Sequence, residues 1–287
     1  MSIIYVCEMK KEKPESEATI NVIKEITQEE LDTLNQAFSF TSDYHSITQI
    51  FNIVLENGNE FKKWMNPQNL QKSRNEGAPS ERLILISNKL VLNYATSTKT
   101  FIDMMRRLLQ KKEPDCVEHF LEMTNKFYDE NMEYRFWSNF RNYVVHCSFP
   151  YSVFHEAIDC NCEVRCTREH LLEFDNWKHS RGDIQKMSEI INLPDMVDKM
   201  NSLIYALYLQ YFYYIFKDFV ADYEIYTDFM KRHSVKCPVI LKTDRPISKE
   251  EGFVSPNMQP LPVKEMMEIF KVMQQHPSIN INFLNEK

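Results

Sequence analysis

The chain has 287 residues, which is enough to bury a substantial core in one large domain or in two. Only 4 residues are glycine, so the sequence excludes a glycine-rich phosphate loop or dinucleotide turn and favours helices over tight hairpins. The net charge of −7 excludes a protein that coats nucleic acid by bulk positive charge, although it allows a small basic cleft.

The first 39 residues are predicted to form an N-terminal strand and helix. β-Branched and aromatic residues at positions 2–7 predict the strand, and Thr27 with Glu30 fits a capping box that opens a helix reaching Phe38. No basic region precedes the apolar start, as a signal peptide would require. Seven scattered cysteines, an odd number, agree with a cytoplasmic protein that has no structural disulfides.

Apolar residues at spacings of three and four predict the helices that follow. One helix should cover residues 42–64 with a break near Gly58, and a polar, mobile loop should cover residues 66–79. Ser80 is predicted to cap the next helix, which runs to about Lys112 and stops at Pro114, and a second long helix follows it. A tight Pro-Asp turn joins these two helices of about 30 residues each, so they should form a long antiparallel hairpin.

The stretch from Phe136 to Pro150 carries the candidate chemistry. Arg141 is followed at once by Asn142, and His146 lies five residues after the arginine. A permanent cation, an amide and a titratable imidazole therefore lie within two helical turns. Arginine presents a planar fork to phosphate oxygens, and histidine exchanges protons near neutral pH. The combination suits a phosphate diester.

The spacing of the arginine and the histidine leaves three interpretations open. Five residues along a regular helix turn a side chain by about 140°, so Arg141 and His146 would not share one face. Because Pro150 cannot continue the helix, a loosened last turn would bring His146 back towards Arg141. Alternatively, the two side chains meet their counterparts across a two-fold dimer interface. In the plainest interpretation, both only complement the negative end of the helix dipole.

The motif Arg141-Asn142-x-x-x-His146 resembles the R-x(4–6)-H motif of HEPN domains, in which a polar residue often follows the arginine. The continuation to Pro150 is similar to that of a group of bacterial HEPN-like proteins. The resemblance covers residues 40–150 by helical pattern and about ten residues by motif. HEPN domains are helical bundles of toxin–antitoxin, abortive-infection and other RNA-directed defence proteins, and many are metal-independent ribonucleases that dimerise to form the active cleft.

This resemblance implies a function and a set of partners. It implies RNA as substrate, a homodimer, and an antitoxin or regulatory protein as a further partner. His146 would act as general base or acid for attack by the RNA 2′-hydroxyl, and Arg141 would hold the phosphate. Asn142 would orient the phosphate or the other subunit's histidine.

After Pro150 the pattern changes from helical to extended. Residues 153–159 and 162–167 predict a β-hairpin inserted between helices. The spacing Cys160-x-Cys162-x-x-x-Cys166 invites a zinc site, with a thiol or zinc protein as the corresponding function. The nearby His155, His170 and His179 are expected to be ordinary surface or partly buried residues. However, structural zinc favours Cys-x(2–4)-Cys pairs, and adjacent strand positions face opposite sides. We therefore expect no metal and no cofactor.

The last part of the chain predicts a buried helix and a tail. The most apolar helix should run from Pro194 to Arg232, but its apolar core of 14 residues, with Gln210 and five tyrosines, is too short and too polar to cross a bilayer. We therefore expect no membrane partner. The tail from Val235 is rich in proline and predicts an extended arm with one amphipathic helix at 263–275.

Together these patterns predict a mainly α protein, a helical bundle with a long antiparallel helical hairpin and a small β-hairpin insertion. The N-terminal segment covers residues 1–39, the HEPN-like domain covers 40–232 with the β-hairpin near 153–167, and the proline-rich arm covers 233–287. The predicted function is a cytoplasmic, metal-independent endoribonuclease that serves as a toxin or in anti-phage defence. The alternative is a non-catalytic helical dimerisation or interaction module.

Overall fold

The computed structural model describes residues 3–10, 19–156, 162–246 and 258–281. Over these residues the protein is mainly helical, as the sequence predicted, and it contains small antiparallel sheets. The chain divides into two compact units. We call the part up to His45 and from Phe212 onwards the terminal unit, and Ser46–Tyr211 the central unit.

The elements are numbered in chain order. The helices are α1 (Gln28–Ala37), α2 (Ser39–Met65), α3 (Pro67–Asn75), α4 (Ser80–Lys112), α5 (Val117–Glu130), α6 (Met132–His146), α7 (Arg168–Leu172), α8 (Ser180–Lys186), α9 (Val197–Tyr214), α10 (Phe216–His233) and α11 (Val263–Met273). The strands are β1 (Ile3–Lys10), β2 (Thr19–Ile26), β3 (Tyr151–Glu156), β4 (Cys162–Thr167), β5 (Ile190–Ile191), β6 (Pro238–Thr243) and β7 (Met258–Pro260).

The terminal unit contains an antiparallel sheet with the strand order β2–β1–β6–β7. Side chains of β1 and β6 form a small core in which Cys7 packs with Val239 and Leu241. The predicted capping box is present: the Thr27 hydroxyl accepts a bond from the Glu30 amide at 3.1 Å, and the Glu30 carboxylate accepts one from the Thr27 amide at 3.0 Å. The pairing of β6 with β1 was not predicted, because it joins distant parts of the chain.

The central unit contains a second sheet with the strand order β3–β4–β5. β3 and β4 pair antiparallel, as predicted, and the predicted turn at 160–161 lies outside the described residues. β5 is an additional strand that the sequence did not reveal. The Asn88 side chain of α4 bonds both the amide and the carbonyl of Tyr151, at 3.0 and 2.8 Å, and thereby fixes β3 on α4.

Two predicted interruptions before α4 are wrong. α2 runs through Gly58 without a break, and this glycine is a point of close approach: an added Cβ would lie 2.9 Å from Cγ1 of Val197 and 3.0 Å from Cε2 of Tyr94. The loop predicted at 66–79 contains α3, which Asn66 caps through its side-chain oxygen. Both errors came from interpreting residues typical of loops without their tertiary contacts.

Two long predicted helices are each divided at a single residue. Asn131 has an extended backbone (φ −121°, ψ 116°) and separates α5 from α6. Ile215 (φ −85°, ψ 3°) separates α9 from α10. Among the helices of the described residues, none combines the length and apolar character that crossing a membrane requires.

Candidate functional site

The helix that carries the motif, α6, is anchored by an aromatic face. Phe136, Phe140 and Tyr143 are fully buried. The indole of Trp177 stacks between two of them, with ring centroids 5.4 Å from Phe136 and 5.3 Å from Tyr143 and interplanar angles of 14° and 20°. Its Nε1–H donates to the Leu171 carbonyl at 2.6 Å, which fixes the indole in its plane. The rotation of α6 about its axis is therefore determined by this face.

Arg135 fixes the beginning of the same helix. Its guanidinium donates from Nη1 to the carbonyls of Tyr128 and Asp129, both at 2.6 Å, at the end of α5. Nε donates to the carboxylate of Asp183 at 2.8 Å. The hydrogen bond to Asp183 raises the pKa of Arg135. These contacts join α5, α6 and α8 and satisfy carbonyls that the break at Asn131 leaves without helical partners.

The three motif residues occupy the opposite, outward side of α6. Arg141 and His146 are exposed, and Asn142 is partly buried. Val145, which lies between them, exposes 56% of its surface. The amide of Cys147 donates to the Tyr143 carbonyl at 2.8 Å, the regular helical bond, so the last turn is intact through His146. The loosened turn proposed from the sequence does not occur.

A regular helix sets the order of these side chains. At about 100° per residue, Arg141, Val145, Asn142 and His146 follow one another across an arc of about 140°. We call these four residues the outer arc. Arg141 and His146 form its two edges, so they do not face a common point within one chain. In the described part of the chain, neither side chain makes a hydrogen bond or an ion pair.

His170, which the sequence suggested to be an ordinary surface or partly buried residue, supports the turn after α6. Its Nε2 lies 2.9 Å from the carbonyl oxygen of Phe149, and its Nδ1 lies 3.3 Å from the Glu173 carboxylate. Its ring stands at 90° to that of Tyr143, with centroids 6.3 Å apart. No local pattern could have revealed this contact, because the inserted hairpin separates His170 from Phe149 in the sequence.

Two further ionisable groups, the buried Tyr143 and the exposed Cys147, lie close in sequence to the residues of the outer arc. The Tyr143 hydroxyl is buried, which raises its pKa far above the usual range. Burial, followed by the nearby carboxylates of Glu173 and Asp175, raises the pKa of the Cys147 thiol. Both groups are therefore in their neutral forms at physiological pH, and the ionisable groups exposed on the arc itself are Arg141 and His146.

The metal interpretation gains no support from the described residues. Cys162 and Cys166 lie on the buried side of β4, and burial raises the pKa of both thiols, which opposes the thiolate form that metals bind. Cys160 lies outside the described residues. In the ranges that the structure describes, no group of three His, Cys, Asp or Glu side chains is placed to hold a metal ion.

The case for function rests on the geometry of the chain itself. Comparison with protein-family models, with curated proteins and with solved structures found no match. The structure brings Arg141, Asn142 and His146 together on one exposed arc and places His170 under the turn that follows. It does not bring Arg141 and His146 to one point within a chain.

Proposed function

We propose that the protein is a metal-independent endoribonuclease of HEPN type. The proposal includes a HEPN-like bundle in which α4 packs against the α5–α6 pair as the long helical hairpin, and the contact of Tyr94 with Trp137, with ring centroids 4.8 Å apart, supports it. The observation that carries the proposal is the outer arc, which presents a cation, an amide and an imidazole to solvent on a rigidly anchored helix.

The chemistry requires only these side chains and the RNA. His146 takes the proton of the 2′-hydroxyl, and the 2′-oxygen attacks the adjacent phosphorus. The P–O5′ bond breaks, and the leaving oxygen takes a proton from a second imidazole or from water. Arg141 neutralises the charge that develops on the phosphate oxygens, and Asn142 donates to the same group. The products are a 2′,3′-cyclic phosphate and a 5′-hydroxyl, and DNA is inert because it lacks the nucleophile.

A two-fold pairing of outer arcs explains why the two key residues lie at opposite edges. When two copies pack with Val145 near the symmetry axis, Arg141 of one chain approaches the partner's His146, and the reciprocal pair forms on the other side. The exposed Val145 supplies apolar surface for this contact. Each composite site then combines one arginine with one histidine.

The first test is cleavage of single-stranded RNA by purified protein in EDTA. Arg141→Ala and His146→Ala should each lower the cleavage rate by about 100-fold or more, because each removes a group that acts in the transition state. Arg82→Ala and His119→Ala are matched controls, since both residues are exposed on other helices of the central unit, and both variants should cut normally. Equal cleavage by all variants would place the activity elsewhere.

The second test separates a composite site from one within a single chain. Arg141→Ala and His146→Ala proteins are mixed, unfolded and refolded together. If each site takes its arginine and histidine from different chains, half of the dimers are mixed and one of their two sites is intact, so about a quarter of the activity returns. If each site lies within one chain, every site lacks a residue and no activity returns.

The second candidate is a non-catalytic dimerisation or interaction module. The exposed Val145 and Phe149, at 56% and 51% of their surfaces, favour it, because apolar side chains at the end of an anchored helix suit a protein contact. A dimer that dissociates in Val145→Asp, together with inactive wild type, would support this candidate.

The biological role proposed is that of a cytoplasmic toxin or anti-phage defence protein held in check by an antitoxin or regulatory partner. This role follows from the resemblance of the motif at Arg141 and His146 and requires the ribonuclease activity. Induced expression should arrest growth, and His146→Ala should relieve the arrest while the protein accumulates to the same level. Arrest that is identical for both proteins would contradict the role.

A further inference from the structure

A cavity of about 250 Å³ opens in the central unit at the place where the short strand β5 ends. One wall is β4 at residues 162–165, and a second is the end of β5 with the residue after it, 190–192. Met65, Pro67 and Leu70, from the end of α2 and from α3, form the third wall. Sites for drug-sized ligands have volumes of roughly 300–1,000 Å³, so this smaller cavity suits a guest of one or two side chains.

The edge of β4 beside this cavity continues beyond the end of its neighbour. β4 has six residues, and β5 pairs with the last two of them, Cys166 and Thr167. The chain then turns into a 3₁₀ helix at Leu193–Met196 and leaves the sheet. Over the described residues, therefore, no strand runs beside 162–165 on this side of β4. Because alternate residues of a strand direct their amides and carbonyls to each edge, this edge offers hydrogen bonds to an extended backbone.

The walls of the cavity determine which side chains such a backbone would carry. Leu70 and Val164 are buried and aliphatic, and Ile190 at the rim exposes 44% of its surface. The two charged groups of the lining neutralise each other, because Nε of Arg165 donates to the Glu163 carboxylate at 2.9 Å. The cavity therefore matches uncharged, aliphatic side chains better than charged ones.

We propose that this cavity binds an extended, uncharged peptide segment of a partner protein, which adds to β4 as a strand. The segment continues the line of β5 beside residues 162–165 and covers about four residues, at about 3.3 Å each. Its backbone pairs with β4, and an aliphatic side chain enters the space between β4 and α3. The inference is independent of RNA cleavage, because the described lining of the cavity contains no residue of the outer arc.

Two peptides and two protein variants test the proposal. The probe is a capped pentapeptide with valine at its second and fourth positions and threonine elsewhere. Its matched control has the same side chains but N-methylated amides at the three central positions, so it cannot donate from them to a strand edge. Ile190→Asp places a charge at the rim of the cavity. Leu85→Asp is the control variant, because Leu85 is also an exposed apolar residue of the central unit, at 66%, and does not line the cavity.

Binding and amide hydrogen exchange are both measured by NMR on the full chain. Without peptide, the amides of residues 162–165 that face the cavity should exchange rapidly. The valine peptide, at about ten times its Kd, should slow them about tenfold. N-methylation of the peptide and Ile190→Asp in the protein should each raise the Kd at least about tenfold, because one removes the backbone donors and the other places a charge at the apolar rim. Leu85→Asp should leave the Kd unchanged.

Each other outcome overturns the inference. Equal affinity for the two peptides would show a site for small apolar molecules, because the backbone would then contribute nothing. Amides of residues 162–165 that exchange slowly without peptide and become fast on dilution would show that a second copy of this chain occupies the edge. Slow exchange at every concentration, or no binding of the valine peptide at millimolar concentration, would show that the edge does not accept a strand. If Ile190→Asp does not fold, the comparison of the two peptides on wild-type protein decides.

Discussion

Gly58 shows how one residue decides the packing of a long helix. A break in α2 was predicted at Gly58 because glycine has a low helix propensity. In the structure, the missing side chain of Gly58 leaves room for its neighbours. An added Cβ would lie 2.9, 3.0 and 3.2 Å from atoms of Val197, Tyr94 and Asn201. Tyr94 and Val197 are fully buried, and the Tyr94 hydroxyl lies 2.9 Å from Oδ1 of Asn201, so these neighbours have little freedom to move.

We therefore expect Gly58→Ala to destabilise the protein. Alanine would gain about 1 kcal/mol in helix propensity, but overpacking of a filled core costs about 1–3 kcal/mol and outweighs it. Gly182→Ala in α8 is the control, because nothing lies within 4 Å of its Cβ, and it should stabilise by about 0.5–1 kcal/mol. Urea midpoints measure both. A Gly58→Ala protein as stable as Gly182→Ala would show that the neighbours can yield.

At the same scale, the candidate site was predictable only in part. The sequence placed Arg141, Asn142 and His146 near a helix end, because type and spacing are visible within a few residues. It did not reveal that the helix stays regular through His146, since this depends on the aromatic packing around Trp177. Nor did it reveal the contact of His170 with the Phe149 carbonyl, because this bond joins the two ends of the inserted hairpin.

At the scale of elements, the stability of the N-terminus of α1 depends on pH. The Thr27 amide bond lowers the pKa of Glu30, and attraction to His233 and Arg232 lowers it further. A carboxyl whose pKa is lower in the folded than in the unfolded chain adds stability above the unfolded value, about 4.5, and loses it as pH falls through the folded value.

Glu30→Gln should therefore destabilise the protein at pH 7 and have a smaller effect at acid pH. The loss at pH 7 should be about 0.3–1 kcal/mol, the usual contribution of a charge at a helix start. Thermal unfolding from pH 3 to 7 measures it. Glu29→Gln, an exposed carboxylate of the same turn, is the control and should show a weaker pH dependence. The assignment fails if the two variants have identical pH profiles.

The elements differ in how well the sequence predicted them. α4 covers the predicted length, because its buried positions repeat at helical spacing throughout. The predicted cap is wrong, since Pro79 is the N-cap and Ser80 is already the first helical residue. The breaks at Asn131 and Ile215 were missed, since each changes the backbone at one residue without disturbing the apolar pattern on either side. β2 was missed because its alternation of exposed and partly buried positions is interrupted at the exposed Ile23, where the register with β1 shifts.

At the scale of the whole molecule, the two units differ in how the chain builds them. The central unit is one continuous stretch, Ser46–Tyr211, whereas the terminal unit combines an early and a late part of the chain. Its sheet joins these parts directly, because β1 pairs with β6 from Ile3 opposite Thr243 to Glu8 opposite Pro238. β1 therefore gains this ladder partner only after β6 has been made.

The reactivity of the Cys7 thiol measures whether β6 stays paired with β1. It lies opposite Val239 of β6, is fully buried, and burial raises its pKa to about 11. A thiol that is both covered and protonated should not react with a thiol reagent at pH 8, whereas the exposed Cys237 should. Mass spectrometry of labelled peptides distinguishes the sites.

Two substitutions in β6 test whether its pairing with β1 protects Cys7. Val239→Asp places a charge in the buried core beside Cys7 and should separate β6 from β1, so that Cys7 is labelled at least about tenfold faster, a change equivalent to 1.4 kcal/mol in the cost of opening. Lys242→Asp introduces the same charge at an exposed position of β6 and should leave Cys7 protected. Cys147 belongs to the central unit and should be labelled at the same rate in both variants unless Val239→Asp unfolds the entire chain. If Cys7 of the wild type reacts as fast as Cys237, pairing with β6 does not protect the thiol, and the proposed dependence of β1 on β6 is wrong.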